Sequence, residues 1–271
     1  MQTKIFFTDL DGTLLNNDKQ VSSLTYEALQ KWTSAGHKLV LCSGRALDSV
    51  IHVRESLALT FPNMYLIGCN GGEIYDCSTN TQLMRLSLSI DTAKEVFAIA
   101  KAHDIYIQTY SDTHILAQKE GPELTYYRRA VHTPYVITDH FTDYLDKEPC
   151  KCLAIDLESH ERLEAFRLDV QARLGDRLSV LYSSPRYLEL FPASSGKGAA
   201  VKWLCNYLKL PLSHSLAAGD ELNDLSMLEA VGLSIAMKNG REEIKQAAAV
   251  ITAGDNNHDG LVPLLEKAME G

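Results

Sequence analysis

The chain has 271 residues, 45% hydrophobic and 23% charged, a composition that buries a core and excludes a disordered or fibrous chain. Twenty-six Lys and Arg against 35 Asp and Glu give a formal charge of −9. That balance argues against nucleic acid as the main partner, because phosphate backbones are held by clustered cations; a small phosphorylated ligand needs only a few local donors.

No apolar run approaches the length of a membrane span, and no signal peptide pattern precedes the first strand. The expectation is a cytoplasmic protein without membrane contact. Cys42, Cys69, Cys77, Cys150, Cys152 and Cys205 are scattered and form no CxxC pair, which reads as buried, reduced thiols. None of the nine dispersed histidines is assigned to a metal.

In chain order, Ile5-Phe6-Phe7 reads as a buried strand. Leu24, Ala28, Trp32 and Ala35 recur at helical spacing, and Gly36 is a C-terminal stop. Lys38 to Cys42 is the next strand, Ala46 to Leu57 a helix, and Tyr65-Leu66-Ile67 a third strand. Strands separated by helices of this length predict right-handed crossovers and a parallel sheet.

The middle has another texture. A helix is expected near 91–103, strands at Ile105 to Tyr110, His114 to Ala117, Leu153 to Ile155 and Leu178 to Tyr182, and a helix on the stripe Leu163, Phe166, Val170, Leu174. The last third returns to the first pattern, with a helix at 197–208 and strands at 216–218, 234–237 and 250–252. The fold class is therefore α/β: a doubly wound, Rossmann-like parallel sheet core over 1–83 plus 187–271. An α+β unit over 84–186 interrupts it.

The strand ends carry the chemistry. Asp9-Leu10-Asp11-Gly12-Thr13 follows the first strand, Ser43-Gly44-Arg45 the second, Asn70-Gly71-Gly72 the third, and Gly219-Asp220-Glu221-Leu222-Asn223-Asp224 a late one. Lys197 opens a helix. Each alone has an ordinary reading as a turn, a helix cap or a solvated lysine. Together, acids, a hydroxyl, a lysine and an amide at one sheet edge are costly without a metal and a ligand to neutralise them. Ser194 to Gly198 lacks the glycine spacing and the Ser or Thr of a P-loop, which excludes that reading.

The order DxDGT, SGR, lone Lys and GDExND resembles the haloacid dehalogenase-like (HAD) superfamily of phosphohydrolases. With the insert between the Ser and Lys motifs, it looks like the Cof-type, type IIB capped branch. The resemblance spans the chain and implies a Mg²⁺-dependent phosphomonoester hydrolase. Asp9 is then the nucleophile that forms an aspartyl-phosphate. Asp11 is the acid and base, with its pKa expected above that of a free Asp, and Thr13 braces its carboxylate. Asp9, Asp11 through its backbone carbonyl, and Asp220 hold Mg²⁺. The phosphoryl oxygens fall to Ser43, the Leu10 and Gly44 amides, Lys197 and Asn223. Asp224 orients the metal ligands or Lys197, and Arg45 and Asn70 touch substrate or serve as a surface ion pair and a turn.

The insert is expected to cap the site and choose the substrate, a sugar phosphate or similar small phosphorylated metabolite. Phosphatases for flavin mononucleotide, pyridoxal phosphate or nucleotide monoesters, and a phosphomutase, stay open. Asp11 argues against a non-enzymatic phospho-acceptor domain. Tyr126-Tyr127-Arg128-Arg129 reads more as a solvated helical face than as a binding element.

Overall fold

The computed structural model describes residues 2–129, 131 and 133–270. The first part runs β1 (Ile5–Asp9), α1 (Ser23–Ser34), β2 (Lys38–Cys42), α2 (Leu47–Ser56), β3 (Met64–Gly68), β4 (Glu73–Asp76) and β5 (Thr81–Arg85). The middle runs α3 (Ile90–Ala102), β6 (Tyr106–Tyr110), β7 (Ile115–Ala117), α4 (Pro122–Tyr127), β8 (Tyr135–Ile137), β9 (Cys152–Ile155), α5 (His160–Leu174), β10 (Leu178–Ser184) and β11 (Tyr187–Pro192). The last part runs α6 (Lys197–Tyr207), β12 (Ser215–Gly219), α7 (Leu225–Ala230), β13 (Leu233–Ala236), α8 (Glu242–Ala247), β14 (Val250–Ile251) and α9 (Val262–Glu270).

Among the described residues the strands form two sheets. The larger has the order β14-β13-β12-β1-β2-β3-β4-β5 and the smaller β10-β11-β9-β6-β7-β8. In the larger, β14 through β3 are parallel, and β4 and β5 add an antiparallel hairpin at one edge.

The apolar run of β1 is continuous because both faces of its sheet are covered. Successive side chains point to opposite faces. Phe6, Leu39, Leu41 and Leu66 therefore pack with Ala28, Leu29 and Trp32 of α1, while Ile5, Phe7, Val40 and Ile67 pack with Val201 and Leu204 of α6. Full burial of each such side chain stabilises by roughly 1.5–3 kcal/mol. Ser22 caps α1, its Oγ accepting the Thr25 N–H, and the buried Trp32 indole donates to the Lys38 carbonyl at 2.9 Å.

The smaller sheet has one face under α3 and α5, where Val96, Phe97, Phe166 and Val170 meet Cys152 and Ala154. Its other face collects Tyr106, Tyr110, Leu153, Ile155 and Tyr127 and is turned toward the larger sheet's loops. Strand β11 continues this sheet past residue 187, because Leu188 and Leu190 belong to its core. The chain returns to the larger sheet's layers only at α6.

Cys69, in the loop after β3, is disulfide-bonded to Cys150, just before β9. This corrects the expectation of six reduced thiols. No local pattern pairs residues 81 apart in sequence; the seating of the smaller sheet over the β3 loop does. Cys42, Cys77, Cys152 and Cys205 are free. No helix among the described residues is long and apolar enough to cross a membrane.

Candidate active site

Strand β1 lies between β12 and β2, the point at which the strand order reverses, and ligands of open α/β sheets bind at the carboxyl ends of strands flanking such a point. Asp9 ends β1, Ser43 follows β2, Asn70 lies in the loop after β3 and Asp220 follows β12. Lys197 is the first residue of α6. The predicted loops thus meet on one edge.

At the centre, the Lys197 ammonium donates to Asp9 Oδ1 and to Asp224 Oδ1, each at 2.5 Å. Lys197 and Asp224 are almost wholly buried and Asp9 nearly so. Asp224 Oδ2 accepts the backbone N–H groups of Asp220 and Glu221 at 2.9 and 3.1 Å. Asp224 therefore orients both Lys197 and the loop that carries Asp220. Thr13 Oγ1 donates to Asp220 Oδ1 at 2.7 Å, which corrects the expectation that it braces Asp11. The turn at Gly12 (φ +85°) aims Thr13 across the site, and a Cβ on Gly12 would stand 2.4 Å from Asp220 Oδ2, so only glycine fits there.

Three carboxylates share this single ammonium. Burial pushes Asp9 up to about 7, with Lys197 pulling the other way. Burial, reinforced by the Asp9 and Asp224 charges, pushes Asp220 up to about 8. Burial alone would lower Lys197, but Asp224 and Asp9 outweigh it and raise it. Carboxylate oxygens of Asp9, Asp220 and Asp224 lie within 4.8 Å of one another. An all-oxygen donor set with excess negative charge suits a hard divalent cation.

Asp11 points elsewhere. Arg45 grips its carboxylate with two bonds of 2.8 Å, Nε to Oδ2 and Nη2 to Oδ1, and Lys19 Nζ adds a third at 2.7 Å. Burial would raise its pKa, yet Arg45 and Lys19 outweigh burial and hold it below the ordinary carboxylate range. The expectation of a raised value is overturned, because it took no account of a guanidinium from the next strand's loop. The side-chain carboxylate also stands outside the Asp9–Asp220–Asp224 group, leaving Asp11 only its backbone carbonyl for a metal.

Ser43 is buried, and its Oγ accepts the Arg45 N–H at 3.1 Å. The Asn223 amide donates to Asn70 Oδ1 at 3.0 Å. Asn70 is buried in the left-handed region (φ 52°), and its Nδ2 has no partner among the described residues. Asn70 backs Gly44, where a Cβ would approach its Oδ1 to 3.1 Å. Asn70 is not among the residues that line the cavity above. The Leu10 side chain is buried in the core, which leaves only its backbone for the site.

Above Asp9 and Asp11 lies a cavity of about 570 Å³, walled on the far side by Tyr126, Tyr127, Arg129, Lys151, Tyr187 and Glu189. Tyr126, Tyr127 and Arg129 therefore belong to the site, which corrects the solvated-face reading. Tyr127 and Tyr187 meet edge to face with ring centres 5.8 Å apart. Lys19, Lys151, Tyr187 and Glu189 were not singled out from sequence. Two of them left a signal: Lys151 and Glu189 are lone opposite charges beside or within otherwise apolar strands.

The comparisons agree with this geometry. The sequence profile of the haloacid dehalogenase-like hydrolases matches residues 6–265. A 5-amino-6-(5-phospho-D-ribitylamino)uracil phosphatase of Bacillus subtilis is 26% identical over 99% of each chain. A second Bacillus subtilis protein, named simply a phosphatase, is 26% identical over 94% of this chain and 96% of its own. The crystal structure of a haloacid dehalogenase-like hydrolase from Bacteroides thetaiotaomicron superposes with a TM-score of 0.88 at 27% identity, covering 98% of this chain and 99% of that one. With the family profile matched along nearly its whole length, the chain belongs to the haloacid dehalogenase-like hydrolases.

Proposed function

We propose that the protein is a Mg²⁺-dependent phosphomonoester hydrolase for a sugar phosphate or similar small phosphorylated metabolite. The observation that carries this reading is the Lys197 ammonium held between Asp9 and Asp224, beside Asp220, with a cavity above Asp9 and Asp11. The names of the relatives support the reaction class, and the ribityl-uracil phosphatase supports a small, polar leaving group.

Asp9 Oδ attacks phosphorus, forming an aspartyl-phosphate while the ester P–O bond breaks. Lys197 and the Ser43 hydroxyl offer donors to the phosphoryl oxygens, with the Gly44 and Leu10 amides and Asn223 assigned to the same task. Asp9, the Asp11 carbonyl and Asp220 would hold Mg²⁺, which would supply positive charge to offset the crowded carboxylates. In its present contacts Asp11 is an ionised base, suited to take a proton from the water that hydrolyses the intermediate. To donate a proton to the leaving alcohol it first has to be released by Arg45 and Lys19, both of which line the cavity. Arg45 is therefore assigned to the substrate as well as to Asp11. The six-stranded unit is the cap, and its tyrosines and Arg129 select the leaving group.

Phosphate release from p-nitrophenyl phosphate and a panel of phosphorylated metabolites tests this reading, with and without chelator, in wild type and Asp9→Asn. Activity that survives either chelation or the substitution overturns it. Isomerised phosphosugar in place of free phosphate would assign the chain to the phosphomutases instead.

A further inference from the structure

Lys151 carries a charge where burial makes charge expensive. It stands between Cys150 and Cys152 at the start of β9 and is fully buried. Its Nζ donates to Glu189 Oε2 at 2.7 Å and to the Gly44 carbonyl at 2.6 Å, and it faces the Tyr110 ring, 4.9 Å from the centre. Burial would lower its pKa, but the Glu189 carboxylate outweighs that effect and keeps it charged. Glu189, on β11, is itself steadied by the Ser183 hydroxyl at 3.0 Å. A buried ion pair is seldom more stabilising than an apolar pair of the same size, so fold stability offers no reason for this one. Gly44 is the one of these partners outside the six-stranded unit; it sits in the loop after β2.

The Gly44 carbonyl and the Arg45 N–H belong to one planar peptide unit. Lys151 holds its oxygen, and its N–H donates to Ser43 Oγ at 3.1 Å. A hydroxyl that accepts from this N–H keeps its own proton free to donate into the cavity. A line of contacts thus runs from the cap ammonium, through one rigid peptide, to the hydroxyl assigned to a phosphoryl oxygen, and such chains polarise along their length.

We propose that Lys151 is a positioning residue for phosphoryl recognition. By gripping the Gly44 carbonyl, it fixes the Gly44–Arg45 peptide and so aims the Ser43 hydroxyl. Glu189 keeps Lys151 charged and directed. This inference rests on the phosphomonoesterase reading. It also separates two roles for a cap residue, because Lys151 acts on the phosphoryl end, which is common to every substrate, and not on the leaving group.

The test compares wild type, Lys151→Met, Lys151→Arg and Glu189→Gln, all checked for folding by thermal melts. Two esters of different leaving group are assayed, p-nitrophenyl phosphate and a phosphorylated sugar, and orthovanadate and inorganic phosphate binding is measured by calorimetry with Mg²⁺. Lys151→Met is expected to lower kcat/KM for both esters by the same factor, roughly tenfold to a hundredfold. It should weaken orthovanadate binding in parallel, and Lys151→Arg should recover part of both losses. Glu189→Gln, which preserves shape, is expected to give the same signature at smaller amplitude and serves alone if Lys151→Met does not fold. A loss confined to one ester, or unchanged orthovanadate affinity in a folded variant, overturns the proposal. Wild type that hydrolyses no ester overturns the phosphatase reading instead, while the inorganic phosphate measurement still reports on Lys151.

Discussion

At the carboxyl edge of the eight-stranded sheet three carboxylates share one ammonium, whereas the six-stranded sheet buries one ammonium with one carboxylate. The first arrangement is unbalanced and leaves negative charge that a bound cation would offset. The second is balanced and needs no ligand. Buried charge alone therefore does not mark a reacting centre: its net sign separates a group poised to bind and react from one that holds other groups in place.

Removing the carboxylate proposed to attack phosphorus cuts deepest into that contrast. Asp9→Asn is expected to lower phosphate release by about 10⁴-fold or more, while its fold, read by circular dichroism, stays intact. Next comes Lys197→Met, which strips the ammonium that bonds Asp9 and Asp224 from the acid cluster. Turnover should fall about 10²- to 10³-fold, and the chelated protein should lose about 3–5 kcal/mol in denaturant unfolding. A variant as stable as wild type would contradict the charge argument.

Between the two units, opening the Cys69–Cys150 bridge by Cys150→Ser is expected to cost about 2–4 kcal/mol. Dithiothreitol should lower the melting temperature of wild type and leave the variant unmoved. The unbalanced side also has a pH signature. Asp9 and Asp220 have folded values of about 7 and 8, above the ordinary 3.8, so the folded state binds more protons than the unfolded one. Stability of chelated protein should then fall as pH rises from about 4 toward 8, by linkage. Added Mg²⁺ should flatten that slope, and a melting temperature that climbs over this range without metal would refute the assignment. The smallest effect belongs to Lys19→Met: its bond to Asp11 is half exposed, so stability should change by less than about 1 kcal/mol.

Much of the parallel core was legible because its signals are local. The run Ile5-Phe6-Phe7, the caps and the strand-ending glycines announce buried strands and helices directly, and each acid or lysine of the core sits beside one of them. The β4–β5 hairpin escaped notice because Glu73 to Asp76 and Thr81 to Arg85 are short and rich in polar residues, although Glu73, Ile74 and Asp76 are buried. Thr13 and Asp11 were misjudged for a different reason. Their partners, Asp220 and Arg45, come from other loops, and side-chain pairing across loops leaves no periodic trace in sequence. The same holds for Cys69 and Cys150. Lys151 and Glu189 stood as lone charges in apolar strands, and their meaning emerges only once β9 and β11 are seen to be neighbours.

The placement of β1 has a consequence for how the chain is made. Its neighbour β2 begins at Lys38, but its other neighbour, β12, begins only at Ser215. During synthesis at about 5–20 residues per second, Ile5 to Asp9 would wait roughly 10 to 40 s for that second partner. Over that interval the strand destined for the middle of the sheet is an edge, with Phe6 and Phe7 short of their final cover. The nascent chain thus carries Asp9 on an unfinished border, and it gains both a closed sheet and a charged partner for Asp9 only once Lys197 and β12 have been made.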